Sequence, residues 1–221
     1  ITSLQQSVRT MYKESATALA SFGVYKPTEF VNKRDLLLLQ RRFQKEIEQG
    51  NHRAYSGIST VAKLLKISYL LELVETQTFS AVLDYIKKLE TETSKAAKGI
   101  LQEKRVTDIK KKMMEWVAEE RDHPKMATLK KVVDDELTAK TEAKSIVFAN
   151  YRSTVDEIYN QLRKNTHAKP VRLVGQSRGF SQKDQLNILK QFNEGEYNIL
   201  ITTSIGEEGL SIGSLDLAVF Y

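Results

Sequence analysis

The sequence contains no cysteine, so no disulfide framework can hold it together, and its three histidines, His52, His123 and His167, have no metal-ligand or nucleophile spacing between them. No apolar run approaches the roughly 18 residues that a membrane-crossing helix needs; Leu36-Leu37-Leu38-Leu39 is short and bounded by charge. The first residues lack the basic, then apolar, then small-residue order of an export signal, so the expectation is an intracellular protein of prokaryotic-like setting, with no membrane partner. A phosphate-cradling G-x-x-x-x-G-K-[ST] loop is absent from the 221 residues. No other catalytic set replaces it, and no metal site or catalytic residue is expected.

What is present is an ordinary globular composition, 41% hydrophobic and 28% charged, with a formal charge of +6. On the usual domain size this length holds one or two domains, and two are expected, 1–120 and 121–221. The positive charge is uneven. Residues 1–120 hold 20 Lys and Arg against 15 Asp and Glu, whereas 121–221 hold 14 against 13. Within the first half, residues 87–112 carry nine basic residues against four acidic ones. Such a run is either a solvated helix face or a surface that gains affinity for a polyanion by counterion release. Lys95, Lys98, Lys104 and Arg105 stand as its candidate nucleic-acid ligands.

The two halves also differ in texture. Up to about Ala118 apolar residues recur at three and four positions, as in Val61, Leu64, Leu65, Tyr69, Leu73 and in Phe79, Val82, Leu83, Ile86, Leu89, which predicts a helical bundle. Breaks are expected at Gly23 to Pro27, at Gly50 to Ser56 and at Thr76 to Thr78. After His123-Pro124-Lys125, Pro124 suits the first turn of a helix with Met126, Leu129, Val133 and Leu137 on one face, and His123 suits a helix cap. Four short apolar runs follow, at 146–148, 171–174, 199–202 and 217–220. They alternate with amphipathic segments at Val155, Ile158, Tyr159, Leu162 and at Leu186, Leu189, Phe192. Strands separated by helices imply a parallel sheet, and such sheets place their sites just beyond the carboxyl ends of the strands. Asp134-Asp135-Glu136-Leu137 imitates an acidic catalytic box but falls in a helical pattern, and reads as a solvated helix face.

The residues after the strand runs are Asn150-Tyr151-Arg152, Gly175-Gln176-Ser177-Arg178-Gly179, and Thr203-Ser204-Ile205-Gly206-Glu207-Glu208-Gly209-Leu210-Ser211. Amide and hydroxyl side chains and glycine-exposed N–H groups donate to phosphate oxygens without reading bases. Each glycine taken singly reads first as a tight-turn residue, but the three segments emerge in order on the same edge of the sheet and together read as a phosphate-binding set.

The run Ser145 to Arg152 resembles motif IV of the second motor domain in superfamily 2 helicases. Asn198 to Leu210 is similar to motif V as written in archaeal Hef and the Fanconi anaemia group M helicase, with Dicer and the RIG-I-like RNA sensors as cousins. Segments such as Glu72 to Gln77 and Tyr85 to Leu89 look like parts of the helical insertion that Hef-like helicases carry between their two motor domains. The resemblance implies an all-helical, thumb-like insertion bundle followed by an incomplete RecA-like parallel α/β domain. It implies an ATP-dependent helicase or translocase acting on branched or forked DNA, or on RNA in a cousin's role, working with ATP, Mg²⁺ and the first motor domain of the same chain. Carried over by motif, Asn150, Tyr151, Arg152, Gly175, Gln176, Thr203 and Gly206 meet the strand, Gly209 and Ser211 meet ATP, and Glu207 and Glu208 couple the two or only fix the loop.

Three departures accompany the resemblance. Ser211 stands where most relatives have Asp, the loop from Gln176 to Phe180 is short, and Tyr221 comes before any arginine-rich motif VI. A non-catalytic binding module with a vestigial motor fold is therefore an alternative. Because phosphoryl transfer needs a loop lysine, Mg²⁺ and an arginine at one place, these residues alone are not expected to hydrolyse ATP.

Overall fold

The computed structural model describes the whole chain except Thr141, residues 175–180 and residues 204–211. The chain divides into two compact units, Ile1–Glu119 and Glu120–Tyr221. No helix among the described residues is long and apolar enough to cross a membrane.

The first unit is helical throughout: α1 (Thr2–Ala16), α2 (Lys33–Glu48), α3 (Ala54–Thr76), α4 (Phe79–Thr91), α5 (Lys95–Leu101) and α6 (Lys104–Ala118). Its ends form where the local chemistry dictates. A 3-10 turn extends α1 to Phe22 and is closed by Gly23 at φ 75°, a left-handed conformation that glycine adopts without the Cβ penalty. At the start of α2 the Asn32 side chain accepts the Asp35 N–H and the Asp35 carboxylate accepts the Asn32 N–H, both at 3.0 Å. Val31 and Leu36, on either side of that capping box, are both buried, which completes a hydrophobic staple. Thr78 and Ser94 cap α4 and α5 with one bond each, their hydroxyls accepting the Ala81 and Ala97 N–H.

Helix α3 is the axis of the bundle. Its buried residues Gly57, Val61, Leu64, Ile67, Leu70 and Leu73 face α1, α2, α4 and α5, so apolar side chains encircle it instead of forming one stripe. Gly57 lies beneath the Phe43 ring of α2. Tyr85 donates its hydroxyl to the Lys66 carbonyl at 3.1 Å and meets Tyr69 edge-on, and burial pushes its phenol above the usual range.

The second unit opens with α7 (Pro124–Ala139), whose amino end is capped by His123: Nδ1 accepts the Lys125 N–H at 3.2 Å. Met126, Leu129, Val133 and Leu137 form its buried face, while Asp134 and Asp135 point to solvent. Then follow β1 (Ser145–Ala149), α8 (Arg152–Leu162), β2 (Pro170–Leu173), α9 (Gln182–Glu194), β3 (Ile199–Thr203) and β4 (Leu217–Phe220). The four strands form one sheet of order β2-β3-β1-β4, and every pairing is parallel.

Strand alternation sends Val147, Ala149, Ile199 and Ile201 into one core with α7 and α8, and Ile146, Val171, Leu173 and Leu200 into another with α9. Helix α9 departs from the expected pattern. Leu189 and Phe192 are buried, but Leu186 is 62% exposed. Three residues fall short of a full helical turn, so steps of three from Phe192 rotate Leu186 off the buried face. Gly195, at φ 86°, ends α9 with a left-handed cap.

Candidate nucleic-acid interface

Parallel register sets the carboxyl ends of the strands side by side. Ala149 of β1 pairs with Thr203 of β3, and Leu173 of β2 with Thr202. The chain therefore leaves β1 at Asn150 next to the place where it leaves β3 after Thr203. These two exits, expected from the sequence to share an edge, do share it. Thr203 itself is 6% exposed at the tip of a strand that is buried throughout. Beside it the Thr202 hydroxyl donates to the Thr203 carbonyl at 3.1 Å.

Asn150 is exposed, Tyr151 half-buried, and Arg152, the first residue of α8, exposed. The amino end of α8 differs from those of α2 and α9. Tyr151 at its N-cap makes no side-chain cap and the first turn holds no acidic residue, whereas Asn32 with Asp35 and Ser181 with Asp184 build full capping boxes. A helix start without its own carboxylate keeps the positive end of its dipole for an incoming anion. Gly175, Gln176, Gly206, Glu207, Glu208, Gly209 and Ser211 lie outside the described residues.

The opposite edge of the sheet is locked by polar contacts. Asn198 accepts the Lys169 N–H at 2.7 Å and donates to the His167 carbonyl at 2.8 Å. Asp216 accepts the Lys144 N–H at 2.8 Å and the Lys140 ammonium at 2.6 Å; Lys140 in particular holds its carboxyl below the ordinary range. These contacts fix the amino ends of the strands.

In the helical unit the basic run of residues 87–112 sorts into two groups. Arg105 is committed internally: its guanidinium donates to Glu14 at 2.6 Å and to Glu103 at 2.8 Å, tying α6 to α1. Lys110 pairs with Glu90 at 2.5 Å and Lys112 with Glu115 at 2.9 Å. By contrast Lys95, Lys98 and Lys104 are exposed and have no ion pair among the described residues. Of the four cations singled out from the sequence, Arg105 is thus unlike the other three. The Lys112 pair follows from i, i+3 spacing; the bond from Arg105 to Glu14 crosses 91 positions and has no local signal.

Among the described residues no group of His, Cys, Asp and Glu is placed to hold a metal ion. The described donors at the strand edge are the Asn150 amide, the Tyr151 phenol, the Arg152 guanidinium and the α8 amino end. That set suits phosphate oxygens.

Two family profiles together cover almost the whole chain. "Putative ATP-dependent RNA helicase, helical bundle" matches residues 2–123, and "Helicase conserved C-terminal domain" matches residues 124–221. A putative ATP-dependent RNA helicase of Methanocaldococcus jannaschii is 32% identical over 213 residues, covering 95% of this chain and 26% of that protein. The ATP-dependent DNA helicase mph1 of Neurospora crassa is 30% identical over 194 residues, covering 80% of this chain and 16% of that protein. The crystal structure of the Pyrococcus furiosus Hef helicase domain superposes with a TM-score of 0.79 at 36% identity, over 99% of this chain and 46% of that one. The chain thus spans about a quarter or less of the length of these curated relatives. A helical bundle joined to a parallel α/β unit, with both profiles and the Hef superposition agreeing, identifies the chain as a member of the superfamily 2 helicases of the Hef type.

Proposed function

We propose that this chain is the helical insertion and second motor domain of an ATP-dependent helicase or translocase that acts on branched or forked DNA. The observation that carries the proposal is the pairing of Ala149 with Thr203, which sets the Asn150–Arg152 loop beside the exit of β3 on one edge of a parallel sheet. There Asn150, Arg152 and the α8 amino end hold a strand by its phosphates, with Thr203 at the same edge. Gly175, Gln176 and Gly206 extend the contact, and Lys95, Lys98 and Lys104 of the insertion hold the junction. Charge-based backbone contacts of this sort grip any sequence, as a translocating motor requires.

ATP and Mg²⁺ supply the phosphoryl-transfer chemistry when bound with the first motor domain. The motif resemblance assigns Gly209 and Ser211 to the nucleotide, and Glu207 and Glu208 to coupling that contact to the strand grip. The described edge supplies neutral and cationic donors, which fit nucleotide phosphates.

The name of the Methanocaldococcus relative favours RNA as a second substrate. One experiment separates the possibilities: titrate the 221-residue protein with forked DNA, linear duplex DNA and duplex RNA across a salt series. Tighter binding to the fork with strong salt dependence supports the proposal. Equal affinity for fork and duplex removes the junction-gripping role, and a preference for RNA moves the substrate class. Thr203→Val and Arg152→Ala should each weaken strand binding.

A further inference from the structure

The four-leucine run noted in the sequence lies on α2, and only part of it goes inward. Leu36 is fully buried and Leu39 half-buried, whereas Leu37 and Leu38 remain 44% and 54% exposed. At 3.6 residues per turn, Arg34, Leu38, Arg41 and Lys45 fall at i, i+4, i+7 and i+11, a single outward stripe opposite Leu36 and Phe43. Leu37 sits on its shoulder. All five side chains are exposed.

Two of the three carboxylates of this helix are committed to ion pairs, and the third, Glu48, is exposed at i+14, at the carboxyl end of the stripe. Asp35 pairs with Lys26 at 2.6 Å and Glu46 with Arg42 at 2.8 Å, while Arg34, Arg41 and Lys45 have no ion pair among the described residues. The face therefore combines unneutralised cations with two leucines in water. A phosphate backbone would satisfy the cations and leave the leucines solvated. An acidic amphipathic helix satisfies both, since its apolar ridge covers Leu37 and Leu38 while flanking carboxylates meet the cations.

We propose that the outward face of α2 is a docking site for an acidic amphipathic helix of a protein partner. At about 1.5 Å of rise per residue, α2 offers a track about 24 Å long, enough for roughly four turns of a partner. The site goes beyond the helicase proposal and does not depend on it.

The test uses the whole 221-residue protein and a fluorescein-labelled helical peptide with leucines at i, i+3, i+4 and i+7 and glutamates on the flanks. A scrambled peptide of equal composition and a labelled DNA duplex are the comparisons. The helical peptide should bind saturably, and the scrambled one roughly tenfold more weakly or worse. Both Leu37→Ser/Leu38→Ser and Arg41→Glu/Lys45→Glu should weaken the helical peptide by about tenfold or more, with unchanged thermal melts because these side chains are exposed. Amide resonances of the unsubstituted protein should shift along α2, a readout independent of the variants.

Four outcomes overturn the proposal: no saturable peptide binding; equal binding of the scrambled peptide; peptide binding indifferent to the leucine variant; or perturbed resonances away from α2. Loss of duplex binding in the Arg41→Glu/Lys45→Glu variant with peptide binding intact would assign the face to nucleic acid and overturn it likewise.

Discussion

The ring of Phe43 lies so close to the α-carbon of Gly57 that a methyl group added there would sit 2.8 Å from Phe43 Cζ, inside contact distance. Phe43 is fully buried and meets Phe22 edge-on at 5.4 Å, so moving the ring aside disturbs that contact. In an ordinary helix, replacing glycine by alanine stabilises by about 1 kcal/mol. Here overpacking costs about 1–3 kcal/mol and outweighs it. Gly57→Ala should therefore lower stability in urea unfolding, by up to about 2 kcal/mol net. Trimming the ring in Gly57→Ala/Phe43→Leu should recover part of that loss, and the double-mutant cycle would report the coupling.

Arg105 and its basic neighbours should behave differently toward nucleic acid. Replacing Lys95, Lys98 and Lys104 by alanine should flatten the dependence of log affinity on log salt by about 0.9 for each phosphate contact removed. Arg105→Ala should change that slope little, because Glu14 and Glu103 already occupy the guanidinium. It should instead cost up to about 1 kcal/mol of stability, the range of a partly exposed ion pair. A steep loss of slope in Arg105→Ala would show that the pairs open when nucleic acid binds.

The helical unit should be acid-sensitive through identifiable carboxylates. The Arg105 guanidinium holds Glu103 below the ordinary carboxylate range, and the Lys66 ammonium does the same for Glu92. A group whose folded pKa is depressed stabilises the fold fully above its unfolded value, about 4.3 for Glu, and loses that contribution as pH falls through the folded value. Melting temperature should thus be nearly flat down to about pH 5 and fall below about pH 4. Glu103→Gln should start lower and fall less steeply; an identical slope would show that other carboxylates control the acid transition.

Ser181 starts α9 by accepting the Asp184 N–H at 3.2 Å, and Asp184 returns the bond to the Ser181 N–H at 2.8 Å. Ser181→Ala should cost about 1 kcal/mol, the usual worth of such a cap. Ser181→Asp should restore most of it. Circular dichroism during thermal melting would measure both.

Much of this was legible in the residues themselves. The strands of residues 145–149 and 199–203, the His123 cap and the buried face Met126, Leu129, Val133, Leu137 all follow from local pattern, because hydrogen-bond geometry and periodicity act over a few positions. Leu186 shows where pattern alone overreaches: the apolar residue was visible, but the rotation of α9 against the sheet determined that it stayed outside.

The amino-acid sequence by itself determined the two textures of the chain, the position of its basic excess and the motifs that name its superfamily. Only the tertiary structure decided that β3 runs between β2 and β1, so that Thr203 stands beside Ala149 and the loop of Asn150. It also decided how the cations are paired: Arg105 meets Glu14 across 91 positions, while Lys95, Lys98 and Lys104 form no ion pair among the described residues. The physical reason is the same in each case. Strand order and ion pairing depend on which distant segments the buried cores bring into contact, and no local spacing records that distance.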